Sequence, residues 1–204
     1  MNNLSINIID FKPAREFITN YHYLHNKPFR HSIIYGLFDT RELIGVCVFH
    51  GISVPEIAVG AFGLTRTDQK GLWELGRLVI HPEYNGGNYT SWFVSRCLKL
   101  LQKKLLVRAI LSYADASAGH LGSIYRACNA LYCGVTAPKN DYYINGKIRE
   151  RGVVSGLGEW KPRPQKHRYV WIFDPLLSLQ WKVVSCNKNG LPKWLELQYI
   201  EDGK

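Results

Sequence analysis

The stretch Trp73–Asp115, WELGRLVIHPEYNGGNYTSWFVSRCLKLLQKKLLVRAILSYAD, reads as strand, glycine turn, helix, strand. Trp73 to Ile80 is a β-type run that stops at His81-Pro82, where proline removes a ladder donor. Glu83 to Thr90 is a Gly- and Asn-rich turn. Beyond it Phe93, Cys97, Leu101 and Leu105 recur every four positions, the apolar stripe of an amphipathic helix. Ala109 to Tyr113 is apolar again and ends at Ala114-Asp115. Strands joined through one helix can be parallel only by a crossover, so the segment predicts a parallel pair in a sheet with a helix laid across it.

Upstream, Ser5 to Ile9 reads as a strand, followed by a helix with Pro13 in its first turn and Ala14, Phe17, Ile18 and Tyr21 on one face. His31–Phe38 and Leu43–Phe49 form a hairpin pattern about the polar Asp39–Glu42, and Pro55–Asp68 reads as irregular. Downstream, Ala116–Gly122 opens onto a second helix with Ile124, Ala127, Cys128 and Leu131 on its stripe and Gly134 as its stop. Tyr142-Tyr143 and Tyr169–Phe173 are further strands. The predicted order is β-α-β-β-β-α-β-α-β-β: an α/β (α+β) fold with a mixed central sheet and helices on both faces. One domain is expected over residues 1–175, with a basic arm over 147–168 and an unpatterned extension over 176–204.

Composition bounds the function. A chain of 204 residues with 46% hydrophobic and 21% charged residues describes one globular domain. It can bury roughly 70% of its unfolded surface without disulfides or a structural metal. No run approaches the ~18 apolar residues of a membrane span, and Met1-Asn2-Asn3 opens no signal peptide, so a cytoplasmic protein is expected. The five cysteines, Cys47, Cys97, Cys128, Cys133 and Cys186, are scattered, lack zinc-knuckle spacing, and read as reduced core thiols. A formal charge of +10 points to nucleic acid, or to a basic surface that serves only solubility.

Four constellations carry chemistry. Gly86, Gly87, Asn88 and Thr90 lead into a helix N-terminus, where free N–H groups welcome an anionic donor; the same residues also suit a plain turn capped by Asn88 or Thr90. Asp115 ends a central strand, with Ser117, Gly119 and His120 in the following loop and Tyr125 a turn into the next helix. That placement suits a base beside substrate-binding groups, or a carboxylate that braces its loop. His22 and Tyr23 close the first helix beside Tyr21, His25 and Lys27, where an imidazole can exchange protons, bind a metal or simply favour the helix dipole. The arm interleaves Lys147, Arg149, Arg151, Lys161, Arg163, Lys166 and Arg168 with Trp160, His167 and Tyr169: cations for phosphates and rings for bases, or a solvated basic loop.

These residues carry a resemblance. His22-Tyr23, the run Leu75-Gly76-Arg77-Leu78-Val79 with Pro82, the motif YADASAGHLGSIYRACNALYCG over Tyr113–Gly134, and Lys166-His167-Arg168-Tyr169 resemble the Mom family of bacteriophage DNA modification proteins over about residues 13–175. The strand order is similar to the GNAT acyltransferase fold. The resemblance implies modification of adenine at N6 in double-stranded DNA with a carbamoylmethyl group, which shields phage DNA from restriction in the infected host cell. It implies His22, Tyr23, Asp115 and Tyr125 as catalytic residues, with Arg77 joining Ser117, Gly119 and His120 as substrate-binding candidates. It also makes iron a candidate metal, held by His22 and Asp115. Ordinary GNAT enzymes carry Arg or Gln, two residues, Gly, one residue, then Gly or Ala in the pyrophosphate loop. Counted from Pro82, those places hold Asn85, Asn88 and Thr90, which leaves acetyl-CoA a donor by fold analogy only.

The mechanism expected from these residues has an adenine flipped onto an aromatic wall drawn from Tyr23, Tyr125 or Tyr132, with Asp115 or His22 as base and Tyr125 on the donor. Arg149, Arg151, Lys161, Arg163, Lys166, His167 and Arg168 would hold the DNA. Two alternatives stand beside it: a CoA-dependent N-acyltransferase for a protein or small amine, and a DNA-binding module without catalysis.

Overall fold

The computed structural model describes residues 3–148 and 158–184. Seven strands form one sheet: β1 (Leu4–Ile8), β2 (Ile33–Asp39), β3 (Glu42–Gly51), β4 (Leu72–Ile80), β5 (Ala109–Asp115), β10 (Lys166–Ile172) and β6 (Leu131–Val135), in that spatial order. All neighbours are antiparallel except β4 and β5, the parallel pair expected from the crossover. A separate three-stranded sheet holds β7 (Lys139–Ile144) between β8 (Lys147–Ile148) and β9 (Glu159–Arg163).

Helices lie on both faces, as expected. On one face α1 (Phe11–Tyr21) buries Ala14, Phe17 and Ile18 against Ile34, Val46, Val48 and Val79. Beside it α2 (Glu56–Phe62) buries Ile57, Ala58, Ala61 and Phe62 against Leu72, Leu111 and Val170. On the other face α3 (Tyr89–Lys104) packs Phe93, Cys97 and Leu101 onto Tyr35, Leu37 and Ile110, with the short α4 (Ser123–Ala127) alongside. The four described cysteines are free and buried.

Three local expectations are corrected. The stretch read as irregular contains α2. The helix expected to run to Gly134 ends at Ala127, because Asn129 takes a left-handed φ of 65°. Leu131–Val135 is then β6, paired with β10, so the apparent helical stripe was a helix and a strand read in one period. Within the basic arm, Lys147–Ile148 and Glu159–Arg163 are strands, whereas Arg149 and Arg151 lie outside the described residues. After Pro175, Leu177 is buried in the α2 cluster and the Val184 N–H donates to the Tyr132 carbonyl, so this start of the extension packs on the domain.

Candidate active site

β4 and β5 pair only from Leu72↔Ala109 to Leu75↔Ser112. Beyond that rung β4 follows β3 while β5 follows β10, and the two strands part. At the fork the buried Ser112 hydroxyl donates to the Leu75 carbonyl at 3.0 Å, satisfying an acceptor at the end of the ladder. A cleft of about 710 Å³ opens there. It is lined by the end of α1, the diverging halves of β4 and β5, the start of α4, and the loop into α3. His22, Tyr23, Asp115 and Tyr125 all line it, together with Arg77, His120, Thr90 and Lys166.

His22 leaves α1 in extended conformation and is 8% exposed. Its Nδ1 accepts the Leu24 N–H at 3.1 Å, so the neutral ring carries its proton on Nε2. Burial, followed by the positive field of Arg77, pulls its pKa down to about 4. His22 is therefore a neutral hydrogen-bond donor at pH 7, not the base expected as one option. Tyr23 stacks on His22 with centroids 4.6 Å apart and tilts against His120 at 4.7 Å. Burial, then the charge of Asp115, raises the Tyr23 pKa, which keeps its hydroxyl protonated.

Asp115 does brace its loop: Oδ1 accepts from the Ser117 N–H at 3.0 Å and from its hydroxyl at 2.6 Å. Oδ2 is left for other donors. Ser117 thus serves Asp115, and Gly119 ends the same turn at φ 71°; neither lines the cleft. Tyr125 projects from α4 with its ring between Tyr169 and Trp171, at 5.3 and 5.8 Å. Burial pushes its pKa to about 12, opposed by a hydrogen bond with the Ser112 side chain. Tyr132, expected as a stacking wall, is instead core, 2% exposed and hydrogen-bonded to His167.

Arg77 donates to the Gly76 and Pro28 carbonyls and lies over the Phe29 ring, while its buried Nε finds no acceptor among the described residues. It forms no ion pair among the described residues, and burial lowers its pKa. In the α3 loop, Gly86 and Gly87 have φ of 104° and 56°, which glycine tolerates best. Asn88 stands at the N-cap of α3 without a side-chain cap hydrogen bond, and among the described residues Thr90 makes none either, so the plain capped turn is not formed and the first N–H groups face no side-chain acceptor there. Thr90 and Asn85 reach the cleft; Gly86, Gly87 and Asn88 do not line it.

The arm divides. Lys161 pairs with Glu159 at 2.6 Å, and Arg163 grips Asp141 through two nitrogens. Arg168 donates to the Cys133 carbonyl at 2.7 Å and lies over the Trp181 ring. His167 is 3% exposed, so it is a core residue rather than a DNA contact. Lys166 is exposed at the cleft, and Trp160 is 57% exposed beside Tyr142.

Sequence reasoning missed His50, Ser53 and Glu74, which also line the cleft. Glu74, buried in β4, accepts from both the Ser53 N–H and its hydroxyl. A carboxylate and a glycine interrupting the apolar run of β4 were the available signals. A metal fits poorly: among the described residues no three His, Cys, Asp or Glu side chains converge. No described helix is long and apolar enough to cross a membrane.

The fold is shared with acetyltransferases. The structure matches the spermidine/spermine N-acetyltransferase SpeG of Vibrio cholerae with a TM-score of 0.52 and 15% identity, over 84% of this chain and 93% of that one. It matches NAA60 of Arabidopsis thaliana at 0.55 and 9%, over 83% and 99%, and a GNAT-family acetyltransferase of Streptococcus pneumoniae at 0.52 and 11%, over 83% and 99%. At these identities the likeness establishes the GNAT fold. In sequence, the chain is 30% identical to methylcarbamoylase mom of Escherichia phage Mu over 124 residues, 59% of this chain and 49% of that protein. It thus spans about half the length of that relative. The Mom protein family matches residues 3–161, which span β1 to β9 and hold His22, Tyr23, Asp115 and Tyr125, so the chain belongs to the Mom family.

Proposed function

We propose that this protein is a DNA-modifying transferase that adds a small group, carbamoylmethyl as the resemblance to the Mom family implies, to adenine N6 in double-stranded DNA. The observation that carries this reading is the fork between β4 and β5, which gathers His22, Tyr23, Asp115 and Tyr125 around one cleft in a chain of the Mom family. Protection of phage DNA from restriction in the cytoplasm of the infected cell is the role that follows.

An adenine inside a duplex cannot reach such a cleft, so it must be flipped at a cost of a few kcal/mol. Tyr23, 42% exposed and backed by His22 and His120, offers the stacking surface that returns part of that cost. Asp115 Oδ2 accepts an N6–H and turns the nitrogen toward the donor. The Nε2–H of His22 and the hydroxyl of Tyr125, which stays protonated, donate to acceptor atoms of base or donor. Lys166 at the rim, with other exposed arm cations, meets the phosphates.

The uncapped N-terminus of α3 and the positive-φ Gly86-Gly87 pair fit the pyrophosphate of an anionic donor such as coenzyme A, whose thioester would supply an acyl group, with the thiolate as leaving group. The same feature favours the second reading, N-acylation of another amine. For iron, no cluster of three His, Cys, Asp or Glu ligands forms among the described residues.

The test is mass spectrometry of nucleosides from plasmid DNA in cells expressing the wild type or Asp115→Ala. A new adenosine species present only with the wild type is expected, its added mass naming the group. Unmodified DNA in both, with soluble protein, would turn the assignment to acylation of another amine.

A further inference from the structure

Five imidazole or carboxylate groups line the cleft; His120 is exposed and lies against the Tyr23 ring, and three of the other four are committed. His22 already carries its proton on Nε2, because the Leu24 N–H occupies Nδ1. Both oxygens of Glu74 are taken by Ser53. Asp115 has one oxygen taken by Ser117 and the other at the place where it orients the amine.

The fourth is His50, near the end of β3 and 7% exposed. Its Nδ1 is 2.6 Å from the Gly51 carbonyl oxygen, which can only accept, so the proton of the neutral ring sits on Nδ1. Nε2 then presents a lone pair, and no hydrogen bond joins it to the described residues. The ring stands where a side chain on residue 76 would stand: a Cβ built on Gly76 would collide with Nε2. Gly76 belongs to the half of β4 that has left β5, so its missing side chain lets the imidazole reach the cleft wall. The two histidines are thus complementary: His22 shows the cleft a donor and His50 an acceptor.

We propose that His50 is a catalytic residue of the transfer, taking through Nε2 the proton that the substrate amine must lose. This rests on the transferase reading above. The amine nitrogen bonds to the electrophilic carbon of an activated donor, and the bond from that carbon to the leaving group breaks with its electron pair on the leaving group. The N–H proton passes to Nε2, giving an imidazolium that keeps its Nδ1–H on Gly51. An imidazole is ordinarily a stronger base than a carboxylate by about 2–3 pKa units, which suits it to hold the proton after transfer.

The test compares wild type, His50→Asn and His50→Ala by the rate at which modified adenosine accumulates in plasmid DNA in cells and in their lysates, which carry the host's donor. Melting temperature and duplex-DNA affinity of the purified proteins are read in parallel. Asparagine can keep the hydrogen bond to Gly51 and lacks Nε2. His50→Asn is expected to accumulate product about 10²-fold or more slowly while melting and binding DNA as the wild type does. Imidazole and methylimidazoles added to the His50→Ala lysate are expected to restore the rate in order of their basicity. A rate within threefold of wild type in His50→Asn overturns the proposal. So does a slow His50→Ala that no imidazole rescues, since His50 would then act through shape alone. Wild-type protein that modifies no adenine overturns the transferase reading itself and the role of His50 with it, whereas modified wild-type DNA with unslowed His50→Asn overturns His50 alone.

Discussion

The Ser112 hydroxyl holds the Leu75 carbonyl at 3.0 Å at the last rung shared by β4 and β5. The bond closes the backbone at the fork, at the wall of the cleft that Leu75 and Tyr125 both line. Ser112→Ala should leave the Leu75 carbonyl buried without this donor and cost about 1–3 kcal/mol, read by chemical denaturation. It should also slow modification by loosening the fork that shapes the cleft. A variant as stable and as active as the wild type would show that the fork needs no brace.

His22 gives stability a defined pH dependence. Its pKa is about 4 in the folded chain against 6.5 for a free histidine. Between these values the unfolded chain binds more protons, so stability is complete above about pH 6.5 and falls as the pH drops toward 4. Screening by cleft water limits the effect to about 1–2 kcal/mol. Asparagine can still accept from Leu24 but does not titrate, so His22→Asn should flatten the fall in melting temperature between pH 6.5 and 4.5. An unchanged slope would place the titration elsewhere.

Arg77 meets the cleft with a buried Nε that has no acceptor among the described residues. Lysine keeps the charge but not the planar fork. Arg77→Lys should therefore reduce modification by about tenfold or more while duplex binding, read by fluorescence anisotropy, stays within twofold. Equal loss of both would make Arg77 a DNA-phosphate contact instead.

Gly122 and Gly86 have positive φ for different reasons. A Cβ on Gly122 would enter the Tyr169 ring, whereas one on Gly86 meets nothing within 4 Å. Gly122→Ala should cost about 2 kcal/mol or more, from clash and strain together, and Gly86→Ala only about 1–2 kcal/mol of strain. Equal melting temperatures would contradict the packing around Tyr169.

Two arm cations should separate in their effects. Lys166 is exposed at the cleft, so Lys166→Ala should lower the slope of log affinity against log salt by about 0.9. Arg163 grips Asp141, so Arg163→Ala should leave that slope alone and cost about 1–3 kcal/mol of stability. The reverse pattern would put Arg163 on the phosphate backbone.

Local physics made much of this legible in the chain itself. The β4–α3–β5 crossover, the β2–β3 hairpin and the buried face of α1 rest on periodicity and turn chemistry within a few residues, and they appear as read. His22, Tyr23, Asp115 and Tyr125 could be named because they sit at element ends or in a long motif, and the fold brings them to one cleft. The α4–β6 boundary was hidden because a short helix and a strand together imitate one helical stripe.

Only the tertiary structure decided the rest, because it depends on partners far apart in sequence. Insertion of β10 between β5 and β6 pairs residues more than thirty positions apart and buries His167, which by composition belonged to a basic surface. Asp141 removes Arg163 from that surface in the same way. The fork exists because β4 and β5 each keep a different second neighbour beyond one rung, and no periodicity within either strand records that divergence. The opposite tautomers of His22 and His50 follow from which backbone group meets each Nδ1, a contact made by folded geometry that composition cannot express.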